Sequence, residues 1–365
     1  MKRIIIIPLM FFILMIAVCP MHSFAMDYMD SETEIGQQID DIMSDYDIGY
    51  SYGDISNLSF GELITMVKDS FIAHISAPLK VFKTLIIVVL FTAVMKSAGE
   101  SVFSSDSSSG LYNMICVMAA VTVIMPQLFT VYGSALTAVE RGGSFILLFV
   151  PIFTGITVVS GGITTAGIYN VLILGASELI VELSRHFLIP VLSVTAVLAV
   201  SGSIFPNVSL ESIVSLLKKI ITWGMTISMT LFTGFVSMKC TLGGKADGVA
   251  TKTARFLISG TVPVVGGAVS DAYATVKSSF DVIQGTVGTA GVIAIIIIML
   301  PPVLELLIFR CIMWTGTAAA ELFSAEPLVK LMKGIDNGLA VAQSVLVCYS
   351  VIFILCTGIL MKCIT

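Results

Sequence analysis

Leu188-Ile189-Pro190-Val191-Leu192 returns as Leu300-Pro301-Pro302-Val303-Leu304, an offset of 112 residues. Three other landmarks keep nearly the same step. Pro151 answers to Pro263 (112), Tyr169-Asn170-Val171 to Phe280-Asp281-Val282 (111), and the Lys219 and Gly224 pair to Lys333 and Gly338 (114). Both stretches are strongly apolar. An internal duplication in a membrane protein builds two bundles around a pseudo-symmetry axis, with a pathway or site between them. The spacing therefore predicts an all-α polytopic membrane protein with a two-copy repeat, 145–240 and 256–365.

Composition points to the same setting. Charged residues make up 12% of the chain and mean hydropathy is +1.01, whereas a soluble domain carries about a quarter charged residues. Acids are concentrated between Met26 and Ser70, where Asp27, Asp30, Glu32, Glu34, Asp40, Asp41, Asp45, Asp47, Asp54, Glu62 and Asp69 face Lys68 alone. The remainder is mildly basic, so no nucleic-acid surface is implied.

The first 25 residues read as a secretory signal. Lys2-Arg3 is the positive start, Ile4 to Val18 the apolar run, and Ser23-Phe24-Ala25 the small-residue cleavage site. A retained signal anchor is the alternative, and either one exports the segment after residue 25. Residues 26–78 form an acidic exported region in which Ile35, Ile39, Ile42 and Met43 recur at helical spacing, as do Leu63, Ile64, Val67, Phe71 and Ile72. They read as amphipathic helices lying over the membrane face, or as an acidic docking surface for a basic partner. Two transmembrane helices are expected within 79–132.

Each copy of the repeat then holds four elements. A short apolar stretch broken by Pro and Gly comes first, Phe145–Ser160 and Phe256–Ser270. A helix comes second, 167–183 and 281–300, then the Pro-Val-Leu helix, 187–205 and 302–323. A long span closes each copy, 210–238 and 328–362. Apolar runs on the order of 15 residues are short for about 30 Å of hydrocarbon, so Pro151, Pro263, Gly266 and Gly267 are read as breaks of re-entrant segments. The loop 239–255 carries Lys239, Lys245, Lys252 and Arg255 against Asp247, which predicts a cytoplasmic position. Counting three spans per copy places the two copies in inverted orientation, with the C-terminus outside. Lys218-Lys219 fits this count poorly.

No P-loop, GxSxG or HExxH occurs, and the cysteines and histidines have no ligand spacing, so neither enzyme activity nor a cofactor is expected. Ionisable groups inside spans are costly and mark function by default. The candidates are Asn170, Asp271, Asp281, Glu305 and Arg310, which either hold helices together or line an aqueous path. Glu182 and Arg185 have the spacing of a pair on one helix face. Asn170 and Asp281 are equivalent in the two copies and are expected at the interface between them. The alternative for Asp281 is a cap on a helix beginning at Val282.

The run Asp247-Gly248-Val249, Thr253-Ala254-Arg255-Phe256, Pro263-Val264-Val265-Gly266, Asp271-Ala272 and Thr286-Val287-Gly288 resembles the stage III sporulation protein AE family of endospore-forming bacteria. That resemblance implies a membrane subunit in the mother-cell membrane around the forespore. It further implies an assembly of eight co-expressed proteins, other stage III sporulation membrane proteins among them, with a forespore-side partner. Such a complex resembles specialised secretion systems and supports forespore development and late forespore gene expression. No catalytic residue comes with the family. A stand-alone secondary transporter built from inverted repeats is the alternative.

Overall fold

A computed structural model describes Gln37, Asp41 and residues 60–102, 106–204, 210–261 and 266–364. The expected signal, most of the acidic region and Pro263 lie outside the described residues. Among the described residues, seven long α-helices make up the fold: α1 (Phe60–Val102), α2 (Asp106–Val159), α3 (Ile163–Leu183), α4 (Ile189–Ile204), α5 (Leu210–Thr261), α6 (Gly266–Leu322) and α7 (Glu326–Ile364). A π-helical segment, Ser184–Leu188, joins α3 to α4 without a break. Among the described residues, five helical runs are long and apolar enough to cross a membrane.

Proline does not end these helices. Pro151 sits inside the 54-residue α2, and Pro301 and Pro302 inside the 57-residue α6. A proline within a helix costs about 3 kcal/mol, and here packing outweighs that cost. Around Pro151, Phe145, Phe149 and Phe153 stack at 5.4 and 5.5 Å, and Phe353 of α7 closes edge-on at 6.0 Å from Phe149. The segment 145–160 is therefore no separate re-entrant stretch, and Pro151 is no break. The chain turns at Gly161 instead, whose φ of +90° suits glycine. Gly266 and Gly267 open α6.

Contacts fix the direction of each helix. Tyr169 meets Thr357 and Ser177 meets Tyr349: eight residues forward on α3 is eight back on α7, so the two are antiparallel. Arg310 meets Asp336 and Glu321 meets Lys333 across the turn at 323–325, so α6 also opposes α7. Lys218 meets Asn337 and Met225 meets Cys348, so α5 and α7 are parallel. The three residues between α1 and α2 span about 10 Å, too little to carry the chain back to the far end, and the two helices pack together. They are antiparallel too. With α3–α4 counted as one, the six runs α1, α2, α3–α4, α5, α6 and α7 alternate in direction.

This overturns the inverted arrangement. The runs α3–α4 and α6, which the landmarks equate, point the same way, as do α5 and α7. The reason is that residues 184–186 and Pro301 do not divide two spans, since the π-helical segment carries α3 into α4 and α6 runs through Pro301-Pro302. Each copy thus contributes two long helices where the sequence count gives three spans, and an even number preserves direction. The same geometry puts residues 239–255 and the C-terminus at one end of the bundle, not on opposite sides.

Small residues set the closest approaches. A Cβ on Gly291 would lie 2.1 Å from the Phe149 ring, and that ring is fixed within its stack. Around Gly155 nothing lies within 4 Å. Gly291→Ala is expected to destabilise the fold by about 1–3 kcal/mol through overpacking. Gly155→Ala is expected to be neutral or slightly stabilising. Thermal unfolding of the detergent-purified variants measures both.

Candidate functional site

Polar side chains in the apolar bundle gather in two layers. The first is centred on Arg310 of α6, which is 5% exposed. Its Nε donates to Asp336 Oδ1 at 2.8 Å and its Nη1 to Gln343 Oε1 at 2.6 Å. Both acceptors come from α7, seven residues apart, which is two turns on one face. Trp314, one turn along α6, presents its ring 5.0 Å from the guanidinium, a favourable cation–π geometry. Beside them, Lys218 Nζ of α5 donates to Asn337 Oδ1 at 2.9 Å. Glu305 of α6 accepts from Ser134 Oγ of α2 at 2.7 Å. Four helices are thus tied at one height. Gly338 of α7 leaves room there for the Tyr132 hydroxyl, which a Cβ would approach to 2.5 Å.

The second layer lies near the Gly161 turn. Gly162 precedes α3 and supplies no side-chain cap. Asp247 of α5 does so from across the interface. Its carboxylate accepts the Thr164 and Thr165 backbone N–H groups at 2.9 Å each and the Thr165 hydroxyl at 2.7 Å. A helix N-terminus has unpaired donors and a partial positive charge, so a carboxylate suits it. Gly243, one turn before Asp247, lets the two helices close. A Cβ there would stand 3.0 Å from Thr165 Oγ1 and 3.2 Å from Thr165 Cα. Further along α3, Asn170 donates to Thr154 Oγ1 at 3.3 Å, and the Tyr169–Thr357 and Ser177–Tyr349 hydroxyl pairs close at 2.8 Å.

The sequence candidates are spread across this frame. Glu305 and Arg310 belong to the first layer. Asn170 bonds Thr154 and does not meet Asp281. Asp271 is exposed near the start of α6. Asp281 is half-buried well inside α6, so it caps no helix at Val282. Its Oδ1, and Nε2 of Gln284 one turn on, are buried without a hydrogen-bond partner. Arg185 pairs with Glu140 at 3.0 Å, not with Glu182, which lies 3.1 Å from His186. In sequence, Asp247 is only the lone acid of a basic loop. The signal for its role lies in its partner, the Gly161-Gly162 break that leaves α3 uncapped. Among the described residues, no group of His, Cys, Asp or Glu has a metal-binding arrangement.

Comparison with known proteins decides the family. The profile described as "Stage III sporulation protein AE" matches residues 48–363. The chain belongs to the stage III sporulation protein AE family. The protein "Stage III sporulation protein AE" of Bacillus subtilis (strain 168) is 23% identical over 276 residues, covering 76% of this chain and 69% of that one. No solved structure matches. Membership in the stage III sporulation protein AE family implies a role in sporulation, and both polar layers fall inside the matched region.

Breaking a buried ion pair by removing one partner costs about 3–5 kcal/mol, whereas an apolar replacement of both is often tolerated. Arg310→Ala is therefore expected to unfold at a markedly lower temperature, and the Arg310→Met/Asp336→Leu double variant to recover most of the loss. Asp247→Ala removes a cap and is expected to cost about 1–2 kcal/mol. Thermal unfolding in detergent reads all three.

Proposed function

We propose that the chain is an integral membrane subunit of the multiprotein, secretion-like channel complex that links mother cell and forespore. It sits in the mother-cell membrane around the forespore and supports forespore development and late forespore gene expression. The observation that carries this reading is a family match over residues 48–363 of a chain whose described residues are helical and include five runs long and apolar enough to cross a membrane. The outer helix α5 favours a subunit too. It contains an apolar stretch long enough to cross a membrane that is little buried by its own chain, leaving a face for lipid or neighbouring subunits. The stand-alone carrier reading draws on inverted repeats, and the helix directions remove that support. The two-copy reading is retained in parallel form, as an axis along the membrane normal.

Within this reading Asp281 and Gln284 line a wet path near the end of the bundle. Two buried polar atoms without protein partners on adjacent turns fit bridging water, which satisfies such groups at little cost. Purification of the tagged full-length chain from sporulating cells is expected to bring down other stage III sporulation membrane proteins. A chain that purifies alone, from cells whose sporulation survives its deletion, would overturn the proposal. Asp281→Leu is expected to lower the yield of heat-resistant spores at unchanged protein level. Normal yield from that variant would remove the path.

A further inference from the structure

Five termini share one end of the bundle: the start of α1, the Gly161 turn, the end of α5, the start of α6 and the end of α7. That end is basic. Lys239, Lys245, Lys252 and Arg255 lie on α5 and Lys277 on α6. Asp247, the acid among the α5 bases, is already committed to the N-terminus of α3. Lys245, Lys252 and Arg255 are exposed and make no ion pair among the described residues. They alternate with exposed apolar side chains. Leu242, Lys245, Val249 and Lys252 recur at intervals of three and four, so a single face carries both charge and grease; Leu242 is 57% and Val249 65% exposed.

The chain that enters α1 at Phe60 arrives at this same end. The segment 26–59 contains nine acids and no base, with Ile35, Ile39, Ile42 and Met43 at helical spacing between them. Its charge and its apolar stripe are complementary to the α5 face. Reach is sufficient: 34 residues span about 50 Å even as helix, against the roughly 10–12 Å diameter of the α6 helix between them.

We propose that residues 26–59 dock on the α5 face formed by Leu242, Lys245, Val249, Lys252 and Arg255. This is a contact within one chain and stands apart from the assembly reading. Zero-length carbodiimide coupling of the purified full-length protein, mapped by peptide mass spectrometry, tests it. Expected are bonds from carboxylates of 40–47 to Lys245 or Lys252 within the monomer band. They should be lost in Lys245→Glu/Lys252→Glu, whose positions are exposed and whose unfolding temperature should not move. Bonds found only in a dimer band would assign the face to a second copy and overturn the proposal. So would protection of both lysines from amine labelling by anionic vesicles alone. A third overturning result is sided labelling that reaches single cysteines at 45 and 245 from opposite faces of the membrane.

Discussion

Helix α7 is enclosed by α2, α3, α4, α5 and α6, and a polar side chain too long to bond its own helix, as Ser344 and Ser350 do, must find its partner on a neighbour. Asp336 and Gln343 meet Arg310, Asn337 meets Lys218, Tyr349 meets Ser177, and Thr357 meets Tyr169. These positions run along most of the helix, so a slip of one residue would orphan several groups together. Apolar contacts alone would tolerate such a slip, since one branched side chain can replace another in a greasy interface. The polar pairs therefore set the register, while the aromatic stack and the glycines set how closely the helices approach.

Helical membrane architecture is legible in the sequence because it rests on composition and on apolar run length, which single residues hardly disturb. The breaks are harder to read. Pro151 and Pro301-Pro302 carry a local signal for interruption, yet the helix passes through them because packing on both sides is worth more than the lost hydrogen bonds. Gly161-Gly162 carries a similar signal and does end a helix, since there the chain needs positive φ. Local chemistry cannot separate these cases; the neighbours do. One misplaced pair of breaks then turns an even number of spans into an odd one, and with it reverses the orientation of an entire half.

The polar sites divide along the same line. Glu305 and Arg310 stand out in sequence as charges within apolar runs. Their partners, Ser134 on α2 and Asp336 and Gln343 on α7, are remote in sequence or spaced by helical turns, and no motif announces them. Asp247 is hidden for the opposite reason. It lies among bases, where a lone carboxylate reads as local charge balance, and its role emerges only once α3 is seen to start without a cap of its own.

Length has a consequence of its own. At 1.5 Å per residue α2 is about 81 Å long; tilted by 40°, at the upper end for membrane helices, it still rises about 62 Å. Hydrocarbon is about 30 Å deep. Part of α2 therefore extends beyond the hydrocarbon. The half-exposed side chains of Glu140, Arg185 and Glu182, gathered with His186 beside the π-helical segment, face acyl chains only at a large penalty. A helix of this length carries part of its height outside its own bilayer.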